Sequence, residues 1–269
     1  MSFATPLVEH LVRSAFDLLG FDIKRRRRAI RTRPLTKKRT TFDGSISGRF
    51  KMYHIGCGPD IVDEFLNIDG DFDSWFEYNL RCPYNLQSDR LYAVRGKPST
   101  YVLQHDLRNG IPAASDSLKV IYHSHFLEHL TDDQGIAFLS ECHRCLAPGG
   151  SMRFAVPDFN LWCSNYISGN TKFFNWYRSA YLDDNLHYKT NAQVFMGMLY
   201  NWGHKMAYDY GSLVERLGTI GFTNIRRADW GTSEKIPNIA SLEDPQSVRR
   251  PESLVVECTK GPKRLNQNS

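Results

Sequence analysis

The order of short strand-like runs and helix-forming segments after residue 50 constrains the fold more than any other feature of this sequence. Seven runs rich in apolar, β-branched and aromatic residues follow one another, separated by polar or helix-forming stretches. This alternation is typical of an α/β fold with a doubly wound, mostly parallel, seven-stranded sheet. The predicted strands cover residues 51–55, 65–68, 100–104, 120–123, 152–156, 223–228 and 254–258.

Two helices are predicted between these strands. Apolar side chains in residues 132–146 fall on one helical face, and the Pro-Gly-Gly of residues 148–150 ends that helix and turns the chain into the next strand. Residues 210–220 are predicted to form the second helix.

The longest connection, residues 157–209, is rich in aromatic residues. It holds twelve Phe, Trp and Tyr residues between Phe159 and Trp202. Connections of this length usually carry function or secondary structure of their own. We predict a helical, aromatic cap that either offers ring faces to an acceptor or forms a small apolar subcore. A second long connection spans residues 70–99.

Residues 1–48 form a basic arm ahead of the predicted strands. Residues 6–21 have the apolar spacing of an amphipathic helix, and residues 24–39 hold ten Lys or Arg and no acid. Three interpretations are open for this arm: it packs on the body, binds an anionic membrane surface, or binds nucleic acid or another anionic partner. The predicted globular domain spans residues 49–262, and residues 263–269 form a polar tail.

Composition and cysteine usage indicate a reduced, globular protein. Hydrophobic residues make up 41% of the chain and charged residues 23%, which excludes global disorder. The six cysteines are scattered, so we predict reduced thiols, and the Cys142/Cys145 pair lacks the second ligand pair of a structural zinc site. No apolar run is long enough to span a membrane. We predict a cytoplasmic location, with peripheral attachment at the inner membrane face as the alternative.

A glycine-rich turn follows the first predicted strand. In residues 52–59, MYHIGCGP, the strand ends in Gly56, Cys57 and Gly58, and a turn with few Cβ atoms lets the backbone approach a ligand closely. The next strand ends in Asp69, whose carboxylate can accept two hydrogen bonds from a ribose diol. The combination indicates a nucleoside pocket at the strand ends.

Further motifs follow the later strands. The third strand leads into QHDL and the fourth into YHSHFLEHL, and LAPGG and VPDF come next. In this order the motifs resemble those of the class I S-adenosylmethionine-dependent methyltransferases. The resemblance is closest to a subgroup often found among genes for surface saccharides, whose GHxxxYDxxSL and RRPESLxVE patterns read here at residues 203–213 and 249–257. It covers residues 51–260 and implies a Rossmann-like methyltransferase fold, with S-adenosylmethionine as cofactor and S-adenosylhomocysteine as product.

The resemblance also implies roles for the residues of the first two turns. Gly56 and Gly58, with Cys57 between them, would lie under the methionine portion of the cofactor. Asp69 would hold the ribose hydroxyls, and the alternative is a surface aspartate without a ligand. Only ten residues separate Gly58 from Asp69, so the first crossover is predicted to be a short turn instead of a full helix.

The third and fourth strands would contribute the rest of the cofactor site. By the same resemblance, Asp106 would accept from the adenine amino group and Leu107 would flank the adenine ring, although Asp is also a common helix N-cap. His123 and Ser124 would line the floor beneath the sulfonium.

His125, Glu128 and His129 form an HxxEH motif directly after the fourth predicted strand. The same pattern occurs in zinc peptidases, but such an enzyme would need a third ligand from a separate helix. Three interpretations stay open: the start of a helix, contact with the acceptor or a general base, and a divalent metal site. We predict no bound metal. If a divalent metal does bind, His125, Glu128 and His129 are its predicted ligands.

The end of the cap segment holds further polar candidates. His204, Tyr208 and Asp209 are placed there for acceptor contact or proton removal. We predict O-methylation of a saccharide or another hydroxylated small molecule, with His125, His129 or His204 as the base. The alternatives are a catalytically silent methyltransferase-like module at a membrane surface and a nucleic-acid methyltransferase.

Overall fold

The computed structural model describes residues 48–70, 80–86, 89–94, 97, 99–182 and 187–262. For residues 80–86, 89, 90 and 108 it describes the backbone alone. The predicted polar tail and all of the predicted basic arm except residue 48 lie outside the described residues. None of the helices in the described part of the chain has the length and apolar character of a membrane span.

A nine-stranded sheet forms the centre of the described chain, in the order β3-β4-β5-β2-β1-β6-β7-β9-β8. Only β4 and β9 run opposite to the other seven strands. All seven predicted strands are present, so the predicted α/β fold is confirmed. The strands are β1 Met52–Ile55, β2 Leu66–Asp69, β3 Leu80–Leu86, β4 Asp89–Val94, β5 Tyr101–Gln104, β6 Leu118–Ser124, β7 Leu146–Pro157, β8 Phe222–Arg227 and β9 Ser253–Lys260.

The hairpin of β3 and β4 extends the predicted seven-stranded sheet to nine strands. It lies within residues 70–99, for which the sequence pattern predicts no strand. β4 pairs antiparallel with β5, and Leu91 lies opposite Leu103. The sequence pattern does not predict β3 because it contains Pro83, and proline argues against most strand assignments. Proline is tolerated mainly at the edge of a sheet, which is where β3 lies.

Five α-helices accompany the sheet in the described residues. Two of them match the helices predicted at residues 132–146 and 210–220. The first begins with a capping box between Thr131 and Gln134, and the last ends at Gly221, whose φ of 111° favours glycine. The helices are α1 Asp132–Cys145, α2 Phe159–Ile167, α3 Thr171–Tyr181, α4 Asn191–Tyr200 and α5 Tyr210–Ile220.

Helices α1 and α5 cover one face of the sheet. Tyr53 of β1, Ile121 of β6 and Phe154 of β7 form one buried cluster with Leu139 of α1 and Leu217 of α5. All five side chains are fully buried. Burial of each such apolar side chain contributes about 1.5–3 kcal/mol to stability. This layer therefore fixes the two helices on the parallel centre of the sheet.

A segment without α-helix or strand, residues 228–252, covers the opposite face. Successive strand residues point to opposite faces, so Val120 and Tyr122 of β6 point away from α1. They pack with Ile236 and Ile239 of this segment in a second buried cluster. That cluster includes no residue of α1–α5. As predicted from the ten-residue spacing, the described crossover from β1 to β2 contains no helix.

Arg153 ties this segment to the sheet through buried ion pairs. Its side chain is fully buried, and its Nε and Nη2 donate to Glu243 Oε1 and Oε2 at 2.7 Å and 2.6 Å. Nη1 donates to Glu257 Oε2 at 3.1 Å, and Nη2 also donates to the backbone carbonyl of Asp229 at 2.7 Å. The cation is thus fully compensated inside the protein. Removal of Glu243 would leave the buried guanidinium with one carboxylate, Glu257, which also pairs with Arg226.

The predicted cap, residues 157–209, contains α2, α3 and α4 around an aromatic core of its own. Trp162, Phe174 and Tyr177 are buried in this cluster. The helical cap is confirmed, and the apolar subcore is present. Trp202 is different because half of its surface, 50%, is exposed.

Replacing Glu243 with Ala is expected to lower the free energy of unfolding by about 3–5 kcal/mol, because the Arg153 guanidinium loses its two-point partner. Urea unfolding followed by circular dichroism measures this change. Glu234→Ala, at an exposed position in the same segment, is the matched control and should change stability by less than about 0.5 kcal/mol. A loss below about 1 kcal/mol in Glu243→Ala would contradict the role given to this ion pair.

Candidate active site

The carboxyl ends of the five central parallel strands meet at one edge of the sheet. From β1 the sheet continues through β2 and β5 on one side and through β6 and β7 on the other. The order of the strands therefore reverses between β1 and β6. In open α/β sheets such a switch point leaves the crevice in which ligands bind.

The turn after β1 depends on two glycines with positive φ, 62° at Gly56 and 50° at Gly58. A Cβ on Gly56 would lie 2.4 Å from Cδ2 of Phe126, so glycine is required there for close packing. No described atom lies within 4 Å of the Cβ that Gly58 would carry, so this position faces open space at the edge. The Cys57 side chain is buried, so this residue can offer a ligand only its backbone.

Asp69 holds the glycine turn in place. Its Oδ2 accepts a hydrogen bond from the backbone N–H of Gly58 at 2.9 Å, and its backbone carbonyl accepts one from the N–H of His105 at 3.0 Å. The carboxylate is half-buried and joins the loops after β1, β2 and β5. Asp69 is therefore an organising residue of this edge, and its predicted contact with a ribose remains a prediction.

The loop after β5 is a short 3-10 turn, Leu107–Asn109. The carbonyl of Asp106 accepts a hydrogen bond from the N–H of Asn109 at 2.8 Å, and Leu107 packs against the main core. His105 is buried, and its Nε2 donates to the carbonyl of Gly110 at 2.8 Å. Asp106 and Leu107 are half-buried at the carboxyl edge, where the sequence predicts adenine contacts.

His123 differs from its predicted position beneath the cofactor sulfur. It is fully buried, its ring stacks on Phe154 at 4.8 Å, and the rings of Phe126 and Phe138 pack against it. The strand register directs its side chain into this aromatic layer, so the ring is enclosed and does not line an open floor. Burial lowers the pKa of His123 to about 3, so the ring is neutral. Ser124, which ends β6, is also buried.

His125 has an unusual backbone conformation for a residue with a side chain, with φ at 48°. The Ser253 hydroxyl donates to the carbonyl of Arg249 at 2.7 Å, so the 2.8 Å contact between His125 Nε2 and Ser253 Oγ has the histidine as donor. Its Nδ1 lies 3.3 Å from Oε1 of Glu128. Nε2 of His125 is therefore committed to Ser253, and Nδ1 lies beside the Glu128 carboxylate.

Glu128 lies on the 3-10 turn Leu127–His129 and is only 1% exposed. Burial raises the pKa of this carboxyl, but the contact with His125 and the neighbouring imidazoles of His125 and His129 outweigh burial and leave the pKa below its ordinary value. The backbone carbonyl of Glu128 accepts hydrogen bonds from the N–H groups of Lys205 and Met206 at 2.8 Å and 3.1 Å. These bonds fix the end of the cap against the turn after β6.

His129 and His204 face each other across this junction, with ring centroids 4.8 Å apart. Nδ1 of His204 donates to the carbonyl of Met198 at 2.6 Å. Burial lowers the pKa of both histidines, although the charge of Glu128 acts in the opposite direction. The structure thus brings together all three histidines that the sequence proposes as bases.

Two other sequence candidates have structural roles. Oδ1 of Asp209 accepts a hydrogen bond from the N–H of Ser212 at 2.7 Å, so Asp209 is the N-cap of α5. Tyr208 is buried, and burial raises the pKa of its hydroxyl to about 12. A proton-removing role for either residue is not supported by this environment, because one is committed to a helix end and the other is enclosed.

Glu252 is a polar residue of the site that the sequence analysis gives no role. It precedes β9 within the pattern at residues 249–257, and it is 3% exposed. Burial raises its pKa to about 6, and the charge of Glu128 acts in the same direction. The RRPESL motif is the one sequence signal that could have drawn attention to it.

Residues 54–154 match the family model described as a methyltransferase domain, which is less than half of the 269-residue chain. Together with the fold, this match supports a class I S-adenosylmethionine-dependent methyltransferase, with S-adenosylmethionine as its cofactor. No curated protein matches the chain.

Three solved structures illustrate the likeness in fold. A SAM-dependent methyltransferase from Archaeoglobus fulgidus is 14% identical, with 94% of each chain covered and a TM-score of 0.42. A possible histamine N-methyltransferase from Thermotoga maritima is 11% identical, covering 78% of this chain and 82% of that one, with a TM-score of 0.43. Phosphoethanolamine N-methyltransferase 2 from Haemonchus contortus, in complex with S-adenosylmethionine, is 11% identical. The match covers 79% of this chain and 49% of that one, with a TM-score of 0.45. At these TM-scores the likenesses carry no argument about the activity.

Gly58→Ala is expected to weaken the binding of S-adenosylhomocysteine at least about tenfold, a loss of about 1.4 kcal/mol, because the added methyl group would occupy the ligand side of the turn. Its cost to stability should be about 1–2 kcal/mol, from the positive φ alone. Gly56→Ala is the matched variant and should lose more stability, since its methyl group meets Phe126. Equilibrium dialysis with labelled ligand and urea unfolding measure the two effects. Unchanged ligand binding by Gly58→Ala would contradict this placement.

Stability should fall as the pH is lowered from about 6.5 towards 4, because two buried histidines stay neutral in the folded chain while the unfolded chain binds protons. Burial lowers the pKa of His54 to about 4 and that of His123 to about 3. Each contributes a slope of about 1.4 kcal/mol per pH unit in this window. Urea unfolding at several pH values should show a shallower slope for His123→Phe than for the parent protein. Equal slopes in parent and His123→Phe would refute the assignment.

Proposed function

We propose that this chain transfers the methyl group of S-adenosylmethionine to a hydroxyl oxygen of a saccharide or another hydroxylated small molecule. The observation that carries the proposal is the group of His125, Glu128, His129 and His204 at the carboxyl edge of β6, next to the glycine turn of β1. The glycine turn, Asp69 and the loop after β5 are the proposed donor site. The histidine group is the proposed acceptor side.

The reaction needs alignment and removal of one proton. The acceptor oxygen attacks the methyl carbon, the carbon–sulfur bond breaks, and its electron pair stays on sulfur to give S-adenosylhomocysteine. The hydroxyl proton must leave the acceptor, and a positioned base contributes typically about 10²–10⁴-fold to such a step. Holding donor and acceptor in line accounts for much of the remaining rate.

The environments of the three histidines favour different roles. Nε2 of His125 donates to Ser253 and its Nδ1 lies 3.3 Å from Glu128, so His125 is proposed as a positioning residue. Burial lowers the pKa of both His129 and His204, which favours the neutral ring with a nitrogen lone pair. These two histidines therefore form the basic centre of the proposed acceptor site.

An exposed aromatic ring beside this centre supports a sugar-like acceptor. The ring of Trp202 lies 6.0 Å from that of His204 and 6.0 Å from that of Tyr181, and half of Trp202 is exposed. An exposed aromatic face can bury the apolar C–H face of a sugar while nearby polar groups bind its hydroxyls. The saccharide assignment also rests on the sequence motifs at residues 203–213 and 249–257.

The basic arm gives a further proposal that rests on sequence alone. Its cations would hold the enzyme at an anionic membrane surface, where a lipid-linked saccharide acceptor would be accessible. Binding to nucleic acid is the alternative, and it predicts steeply salt-dependent association with polynucleotide.

The proposed activity is tested by incubating the full chain with labelled S-adenosylmethionine and a panel of mono- and oligosaccharides and hydroxylated metabolites. Formation of S-adenosylhomocysteine and a base-stable labelled ether is expected. His129→Ala and His204→Ala should each lower turnover by at least about 100-fold, the lower end of the effect of a positioned base. His187→Ala, at an exposed position, is the matched control. Cofactor binding without turnover on any acceptor class would favour the catalytically silent module instead.

A further inference from the structure

Three side chains at the junction of the cap and the β6 turn form a compact set of metal-type donors. One donor atom each of Glu128, His129 and His204 lies within 4.8 Å of the donor atoms of the other two. The carboxylate and one imidazole come from the turn after β6, and the second imidazole comes from the end of the cap. Two imidazoles and one carboxylate are a ligand set that binds Zn²⁺ and related divalent ions.

The second ring nitrogen of His204 is held in the manner of a metal ligand. Nδ1 of His204 donates to the carbonyl of Met198 at 2.6 Å, which leaves Nε2 with the lone pair in the neutral ring. Metal-binding histidines almost always donate their other N–H to such an acceptor, which fixes the tautomer and raises the basicity of the ligand.

The Glu128 carboxylate is buried, but it lacks the hydrogen bonds that normally satisfy a buried carboxylate with a purely structural role. It is 1% exposed, and neither of its oxygens has an aligned hydrogen bond among the described residues. Nδ1 of His125 lies 3.3 Å from Oε1 of Glu128. A second buried carboxylate, Glu252, adds negative charge to the same region. An unsolvated carboxylate costs several kcal/mol unless a cation compensates it.

We propose that Glu128, His129 and His204 bind one divalent transition-metal ion of the Mn²⁺ to Zn²⁺ class. Ligands that share an ion at about 2.1 Å lie about 3–3.5 Å apart, so binding would draw donor atoms that lie within 4.8 Å of one another together by at most about 1.3–1.8 Å. Three protein ligands leave an open coordination position. If the proposed methyl transfer is correct, the acceptor hydroxyl fills this position, and the bound cation lowers its pKa so that its proton passes to water. With the ion bound, His129 and His204 act as ligands instead of as bases.

The ligand chemistry separates this site from a magnesium site. Mg²⁺ prefers oxygen ligands in octahedral geometry, whereas imidazole nitrogen suits the later first-row ions. The chain should therefore select Co²⁺ and Zn²⁺ over Mg²⁺. The competing explanation is a purely structural contact, in which the three side chains only hold the end of the cap on the β6 turn.

The test uses the full chain, freed of metal with a chelator and titrated with Co²⁺ while its visible absorption is recorded. We expect one Co²⁺ per chain, displacement by Zn²⁺, and no displacement by millimolar Mg²⁺. His204→Ala and Glu128→Gln should each weaken Co²⁺ binding by more than about 100-fold, beyond the 10–100-fold typical of changes outside the ligand set. His187→Ala, at an exposed position, should bind as the parent does.

The outcome is decisive even if one variant folds poorly. Glu128→Gln keeps the shape of the side chain, and circular dichroism of each metal-free variant verifies its fold. Absence of Co²⁺ binding to the parent, or equal binding by correctly folded Glu128→Gln and His204→Ala, would overturn the metal site. Metal binding without methyl transfer would instead leave the site standing and refute the proposed function. Methyl transfer by the metal-free protein, together with absence of Co²⁺ binding, would refute the metal site and leave the proposed function standing.

Discussion

The reversal of strand order between β1 and β6 is the constraint on which the rest of this molecule depends. It opens one edge of the sheet and brings the loops after β1, β2, β5 and β6 to that edge. Gly56 packs against Phe126 without room for a Cβ, and Asp69 accepts from the N–H of Gly58. The glycine turn is therefore fixed between the loops after β2 and β6. The loop after β6, which holds Phe126, also carries His125, Glu128 and His129.

The chain handles buried charge in two different ways. Arg153 is buried with two carboxylates and a carbonyl, which together satisfy the guanidinium and hold the segment 228–252 on the sheet. Glu128 is equally buried, but its oxygens have no aligned hydrogen bond among the described residues. The first arrangement stabilises the fold. The second is costly for the fold, and such groups are typical of sites that bind a ligand or an ion.

Much of this arrangement is predictable from the sequence because local chemistry decides it. Strand-like runs, the capping signals of α1 and α5, and Gly56 and Gly58 each specify their own conformation. The β3–β4 hairpin is hidden by Pro83, whose effect depends on β3 lying at the sheet edge. The direction of the His123 ring and the meeting of His129 with His204 depend on tertiary packing, which no local pattern encodes. For that reason motif order predicts the site, whereas the division of roles among its residues requires the structure.

The central claim is that the crevice at the switch point is a nucleoside pocket, and a crystal structure of the full chain with S-adenosylhomocysteine tests it most directly. The account predicts the ribose hydroxyls within hydrogen-bond distance of Asp69, the adenine beside Asp106 and Leu107, and the sulfur directed towards the histidine group. A nucleoside bound away from this edge, without contact to Asp69 or the glycine turn, would contradict the account.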